Sequence, residues 1–147
     1  MAAVTATLSR VARRAIERSS TAASLRDAAL AAHPPPAELA YLSSRIGAAA
    51  TLALIEAHGG TRLHIPKSAP RTARLTRLLG PEAAHALSAW RGGEDVKIPL
   101  AKGWRIRVHR AEGLGYGAIA RRLGIGEAMV HKHLQVARMT DQADLFG

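Results

Sequence analysis

Apolar residues in the first third of the chain recur at helical spacing. From Val4 to Ile16 they fall mostly three or four residues apart. Residues up to Ala32 fit one or two helices, with a possible break at residues 19–21. The run His33–Pro36 must end this helical stretch, because consecutive prolines lack amide donors and hold an extended backbone.

A second apolar stripe runs from Leu39 to Ala57 at periods of three and four, and it predicts one long helix. Gly59 stands where a left-handed C-cap would be needed, and a second glycine lets the chain reverse. The next segment, TRLHI at residues 61–65, alternates between polar and apolar positions and predicts a short strand. Pro66 ends that strand.

The corner GGTRLHIP, residues 59–66, returns 33 positions later as GGEDVKIP, residues 92–99. Residues 46–66 and 79–99 share eight identities in 21 aligned positions. Two helix–Gly-Gly–strand units of this kind predict an antiparallel ribbon of two strands, with helices covering one face. The pattern leaves open whether the strands pair within one chain or between chains. A basic helix over residues 70–79 should precede the second unit, whose helix begins at Pro81.

The last third begins with a predicted basic helix in which Trp104 and Val108 are the apolar anchors. The segment YGAIARRLGIGEAMVHKHLQ, residues 116–135, then follows the spacing of a helix-turn-helix. Ala120 is small where the two helices would cross, and Gly124 suits a left-handed turn between them. Apolar residues fill the predicted wedge: Ile119, Leu123, Ile125 and Val130. Leu134 can replace His133 at the next apolar position, and an unrelated helical hairpin is the alternative.

In a helix-turn-helix the second helix, here about Glu127 to Ala137, enters the major groove by its N-terminal half. The candidate contacts to bases are Glu127, Ala128, His131, Lys132 and Gln135. Arginines on the two preceding helices are placed to meet phosphates, which set affinity and register. These candidates are Arg105, Arg107, Arg110, Arg121 and Arg122. The alternative for the arginines is a solvated face.

Composition favours a polyanionic partner. The formal net charge is +10, from 21 Lys and Arg against 11 Asp and Glu, and double-stranded DNA is the partner that the helix-turn-helix pattern also predicts. A merely solubilising or ribosome-like charge is the alternative. The sequence offers no catalytic constellation, so we expect no enzyme and no cofactor.

Several other kinds of site are unsupported by the sequence. The chain has no cysteine, which excludes disulfides and zinc fingers. His131 and His133 point apart on a helix, so we expect no metal site there. The remaining histidines are scattered singles that we expect at the surface: His33, His58, His64, His85 and His109.

No run approaches the roughly 18 apolar residues of a membrane span, and we expect a cytoplasmic protein. The N-terminus is rich in Arg and Ser and poor in acids. It is similar to an organelle transit peptide, but its helical periodicity favours an ordinary amphipathic helix.

Two segments together resemble the Mor/C family of phage Mu-type transcription activators. IGAAATLALIEAHGGTRLHIPK, residues 46–67, resembles the family's dimerisation segment, and GAIARRLGIGEAMVHKHL, residues 117–134, resembles its helix-turn-helix. The resemblance covers about residues 38–138. It implies a homodimeric activator in a bacterial host cell that binds a dyad site and recruits RNA polymerase. It also implies that the strand approaches the minor groove through Arg62, His64 and Lys97.

The sequence therefore predicts a mainly α fold with N-terminal helices, a duplicated helix–strand unit and a C-terminal helix-turn-helix. The predicted domains are an extension with a Pro-rich spacer, a dimerisation domain, a DNA-binding domain and a tail, at residues 1–36, 37–100, 101–140 and 141–147. A transcription regulator is the first functional hypothesis. A DNA-binding assembly factor for packaging or recombination, without a promoter role, is the second.

Overall fold

The computed structural model describes residues 9–68, 70 and 73–146, with side chains up to residue 142. This part of the chain is mainly helical with one two-stranded antiparallel sheet, as the sequence predicts. A single turn of 3₁₀ helix, Ala37–Leu39, precedes the second α-helix. In chain order the other elements are α1 (Arg10–Ala32), α2 (Ala40–Ile46), α3 (Ala48–His58), β1 (Arg62–His64), α4 (Arg74–Leu79), α5 (Pro81–Arg91), β2 (Asp95–Lys97), α6 (Lys102–Ala111), α7 (Tyr116–Leu123) and α8 (Glu127–Phe146).

Residues 10–32 of the N-terminal segment form one helix without the break considered at residues 19–21, and the apolar positions predicted at residues 4 and 8 lie outside the described part. Ser9 caps this helix by accepting a hydrogen bond from the Ala12 amide, which satisfies one of the free amides of the first turn. Within the helix the Thr21 hydroxyl donates to the Glu17 carbonyl, so this residue satisfies its hydroxyl without leaving the helix. The helix ends before the prolines, as predicted.

The long helix predicted from Leu39 to Ala57 is wrong, because Gly47 divides it into α2 and α3. Gly47 has φ 84° and ψ 164°, and Gly80 has φ 88° and ψ 160° between α4 and α5. Side chains rarely tolerate this backbone region. The two glycines occupy equivalent positions of the repeat, so each unit contains two helices that meet at a glycine. The basic helix predicted over 70–79 begins only at residue 74, and residues 71–72 lie outside the described part.

The two glycines of each Gly-Gly corner are required for different reasons. Gly59 is extended at φ −53°, so the predicted left-handed C-cap at this position is wrong, and Gly60 adopts the positive φ of 82°. Gly59 is required for space, because a Cβ there would lie 2.5 Å from the Ile55 carbonyl oxygen. Gly92 and Gly93 repeat this arrangement in the second unit.

The two strands pair within one chain. Arg62 lies opposite Lys97, Leu63 opposite Val96, and His64 opposite Asp95. The two Gly-Gly corners extend the pairing reciprocally. The Gly60 amide donates to the Ile98 carbonyl, and the Gly93 amide donates to the Ile65 carbonyl. This reciprocity gives the two units a local pseudo-two-fold relation.

One apolar core joins α1, both helix–strand units and α6. The buried members include Leu30 near the end of α1, Leu42, Leu54 and Leu87 in the helix–strand units, and Trp104 in α6. A second, smaller core has four buried members among the described side chains: Ile106, Ile119, Ala120 and Val130. Since α6 contributes Trp104 to the first core and Ile106 to the second, it connects the helix–strand body to α7 and α8.

Candidate nucleic-acid interface

The helices α7 and α8 meet at the turn that the sequence pattern predicts. Gly124 caps α7 in the left-handed conformation, with φ 68° and ψ 36°. The Ile125 amide donates to the Ala120 carbonyl at 3.0 Å, which satisfies one of the last carbonyls of α7. The helix α8 then begins at Glu127, although it extends well beyond the predicted end at Ala137, to Phe146.

The predicted wedge residues hold the two helices together. Ile119, Ala120 and Val130 are buried, and Leu123 and Ile125 pack against them. Leu134 also packs on this cluster, as expected for the position beside His133. Ala120 is 6% exposed, and a larger side chain would have to displace its packed neighbours.

The candidate base-contacting side chains share an exposed side of α8. Each of them is exposed: Glu127, Ala128, His131, Lys132 and Gln135. The His131 ring meets the Tyr116 ring edge-on, with centroids 4.1 Å apart. Residues 127, 131 and 135 repeat every four positions, which aligns them along one helix face. This face can present both hydrogen-bond donors and acceptors to a groove of DNA.

The five candidate phosphate-binding arginines do not form one surface. Arg121 and Arg122 are exposed on α7, and Arg110 is exposed on α6. The Arg110 guanidinium lies 4.9 Å from the Tyr116 ring centroid and donates to the Leu114 carbonyl. Arg107 instead is half-buried and lines a cleft between the end of α1 and α8.

Arg105 must be removed from the candidate phosphate contacts, because only 7% of its surface is exposed. Burial lowers the pKa of its guanidinium, the nearby Glu56 carboxylate raises it, and the positive charge of Arg122 lowers it. The Nε atom is buried without a hydrogen-bond partner. The guanidinium of Arg105 therefore interacts with other charged side chains inside the molecule, Glu56 and Arg122, and not with a phosphate.

A buried ionic cluster joins α1, α3 and α6. His109 is fully buried, which contradicts its expected place at the surface. Its Nε2 lies 2.5 Å from Glu56 Oε1, and its Nδ1 lies 3.3 Å from Glu112 Oε1. Arg26 forms an ion pair with the same Glu112 carboxylate at 3.3 Å. This cluster cannot be recognised from the sequence, because its members lie up to 86 positions apart.

Within the cluster, opposing effects act on Glu56. Burial raises the pKa of its carboxyl, while the hydrogen bond with His109 and the positive charges of His109, Arg26 and Arg122 lower it. The net result is a pKa below the ordinary value of 4.5. The cluster thus favours the ionised carboxylate at neutral pH.

The outward side of the ribbon carries the three residues assigned to the minor groove. Arg62, His64 and Lys97 are all exposed. Arg62 and Lys97 lie directly opposite each other, and such a like-charge pair destabilises a ribbon unless an anion is nearby. His64 Nδ1 lies 2.8 Å from Asp95 Oδ1, so its ring already has a partner.

No group of three or more potential metal-binding side chains occurs in the described ranges. Among the described helices, none combines the length and apolar character needed to cross a membrane. Comparisons of the chain with protein-family models, curated proteins and solved structures find no significant match.

Proposed function

We propose that the chain is a sequence-specific regulator that binds double-stranded DNA as a homodimer on a dyad site. The observation that carries this proposal is the α7–Gly124–α8 hairpin, which exposes a polar face on the N-terminal half of α8. The net charge of +10 adds the electrostatic attraction that DNA-binding proteins use.

In this proposal each exposed group has a defined role. Lys132, His131 and Gln135 donate hydrogen bonds to base edges, and Glu127 accepts one from a cytosine amino group. Arg121 and Arg122 neutralise phosphates beside the groove. The exposed pair Arg62 and Lys97 provides a second basic surface for a phosphate or the minor groove, as the family resemblance implies.

The biological role rests on the resemblance to the Mor/C activators. Both of its parts lie on the expected elements: the helix, Gly-Gly corner and strand at α3–β1, and the helix-turn-helix at α7–α8. We therefore place the proposed regulator in a bacterial host cell, as a phage or mobile-element activator that recruits RNA polymerase to a promoter.

The proposal is tested by selecting bound duplexes from a random pool and footprinting the enriched sequence. A regulator enriches one dyad-symmetric site, which it binds several kcal/mol more tightly than random DNA. Salt-sensitive binding to DNA without enrichment of any sequence would contradict the regulator hypothesis and favour the assembly-factor hypothesis. Reporter transcription from a promoter beside the enriched site then tests activation directly.

Two substitutions separate base readout from phosphate contact. Lys132→Ala should weaken binding to the selected site by about 1–3 kcal/mol and relax preference at one or two base pairs. Arg121→Ala should weaken binding evenly across sequences and reduce the salt slope by about one unit. Arg121 is preferable to Arg122 for this purpose, since the charge of Arg122 also acts on Glu56 and Arg105. Arg77→Ala, on the exposed side of α4, is the matched control.

A further inference from the structure

A cleft of about 410 Å³ lies between the end of α1, the helix α6 and the C-terminal half of α8. Its lining consists of Ala32, His33, Pro34, Arg107, His133, Val136, Ala137, Thr140 and Asp141. A second lobe of about 220 Å³ shares His33, Arg107, Ala137 and Asp141, and it adds Arg110 and Arg138. The two lobes therefore lie side by side, and we treat them together as the cleft.

Positive charge predominates in this cleft. Three arginines line it, against the single carboxylate of Asp141, and two histidines add polar ring nitrogens. Arg110 already donates to the Leu114 carbonyl. In the part of the chain that the structure describes, no hydrogen bond or ion pair involves the side chains of Arg107 and Arg138. A partly enclosed arginine without a counter-ion favours the binding of an anion.

Two polar side chains that line the cleft, Arg107 and His133, approach each other beside Gly103 of α6. A point one Cβ length from the Cα of Gly103 lies 3.5 Å from Arg107 Nη1 and 3.7 Å from His133 Nδ1. Arg107 Nη1 and His133 Nδ1 are therefore at most 7.2 Å apart, so one carboxylate or phosphate group lying between them on the cleft side can contact both side chains. The opposite wall is fixed, because Trp104 Nε1 donates to the His33 carbonyl at 2.8 Å.

The rest of the lining suits a small organic body. Ala32, Pro34, Val136 and Ala137 provide apolar surface, and the cleft volume lies in the roughly 300–1,000 Å³ range of small-molecule sites. Asp141 disfavours a second negative charge at its end of the cleft. We infer that this cleft binds a small organic monoanion that joins one carboxylate or phosphodiester to an apolar group.

This site is separate from the proposed DNA-binding face. At about 100° per residue, His133 and Thr140 lie about 200° and 180° around α8 from His131. A duplex held against His131 and Gln135 therefore leaves the lobe beside His133 open. An occupant of that lobe contacts α1, α6 and α8 together, so it restrains the orientation of α8 relative to the helix–strand body.

Calorimetric titration of the full chain with benzoate tests the inference, with benzamide and inorganic phosphate as comparison probes. Benzoate carries both the charge and the apolar group, benzamide lacks the charge, and phosphate lacks the apolar group. We expect benzoate to bind about tenfold or more tightly than either comparison probe, the difference that one charge-assisted hydrogen bond supplies.

Three variants locate the binding. Arg107→Gln removes the guanidinium charge and His133→Ala removes the imidazole, and each change should weaken benzoate binding about tenfold. Gly103→Leu places a bulky side chain beside both Arg107 Nη1 and His133 Nδ1 and should abolish binding while leaving both side chains present. Arg77→Gln removes an exposed arginine of α4 and should bind benzoate like the parent chain.

Two outcomes overturn the inference. Equal benzoate affinity in the parent, Arg107→Gln and Gly103→Leu would place any binding elsewhere. Complete displacement of benzoate by a random DNA duplex, with a reduced salt slope of DNA binding in Arg107→Gln, would assign the cleft to the DNA interface. Neither outcome alters duplex selection by the parent chain, so failure of this inference is distinguishable from failure of the proposed DNA-binding function.

Discussion

At the scale of single residues, the pair Glu56 and His109 links protonation to stability. His109 lies fully inside the molecule against two carboxylates, and removing either partner leaves a buried polar group without its counterpart. Such a loss costs about 1–3 kcal/mol. The cluster also connects α1, α3 and α6, so its protonation acts on the junction between the body and the candidate interface.

The first prediction concerns Glu56→Gln. Because the folded-state pKa of Glu56 lies below its ordinary value of 4.5, the stabilisation from its charge is present above that value. It is lost as pH falls through the folded-state pKa. The variant should unfold about 1–3 kcal/mol more easily near pH 6, and the difference from the parent should shrink towards acid. Urea unfolding across the pH series measures this.

The control is Glu17→Gln, at an exposed position of α1, whose stability should follow that of the parent at every pH. If Glu56→Gln differed from the parent by the same amount at every pH, the role of the charge would be contradicted.

At the scale of elements, the repeated units show which features the sequence can predict. Alternation in TRLHI and the recurrence of Gly-Gly and Ile-Pro predict the ribbon, since strand period and turn residues are local signals. The apolar stripe continues across Gly47 and so gives no sign of a helix break there, although the alignment of Gly47 with Gly80 contains that information. The buried positions of Arg105 and His109 follow from partners distant in sequence, which no local period reveals.

The second prediction uses the equivalence of the two corners. In Gly59→Ala the new Cβ meets the Ile55 carbonyl oxygen, and in Gly92→Ala it meets the Ser88 carbonyl oxygen. Because both obstacles are backbone atoms, each substitution should lower the free energy of unfolding by about 1–3 kcal/mol. Gly103→Ala is the matched control, since its Cβ would make only ordinary contacts in a helix. Thermal or urea unfolding measures all three, and an unchanged stability in either corner variant would count against the close packing described.

At the scale of the whole molecule, α6 couples the candidate interface to the rest of the fold. Among the residues whose side chains the structure describes, four are buried in the core around α7 and α8, including Ile106, and so small a core gives little independent stability. Trp104 and Val108 of the same helix lie in the large core, and the ionic cluster holds α6 from the side. We therefore expect the described body and the α7–α8 hairpin to unfold together in one transition.

The third prediction tests that coupling through Ile106→Ala. Ile106 is fully buried in the small core, and deletion of such a side chain costs about 2–5 kcal/mol. Tryptophan fluorescence reports on the helix–strand body, because Trp104 belongs to the large core and Trp90 packs against it. Far-ultraviolet circular dichroism reports on all helices, including α7 and α8. If the molecule unfolds as one unit, Ile106→Ala shifts both signals to the same lower urea midpoint.

The control is Ile16→Ala. Ile16 is 57% exposed on α1, so this variant should change stability by no more than about 0.5 kcal/mol. If the circular-dichroism transition of Ile106→Ala instead separates from an unshifted fluorescence transition, α7 and α8 unfold alone. In that case α6 does not couple them to the helix–strand body.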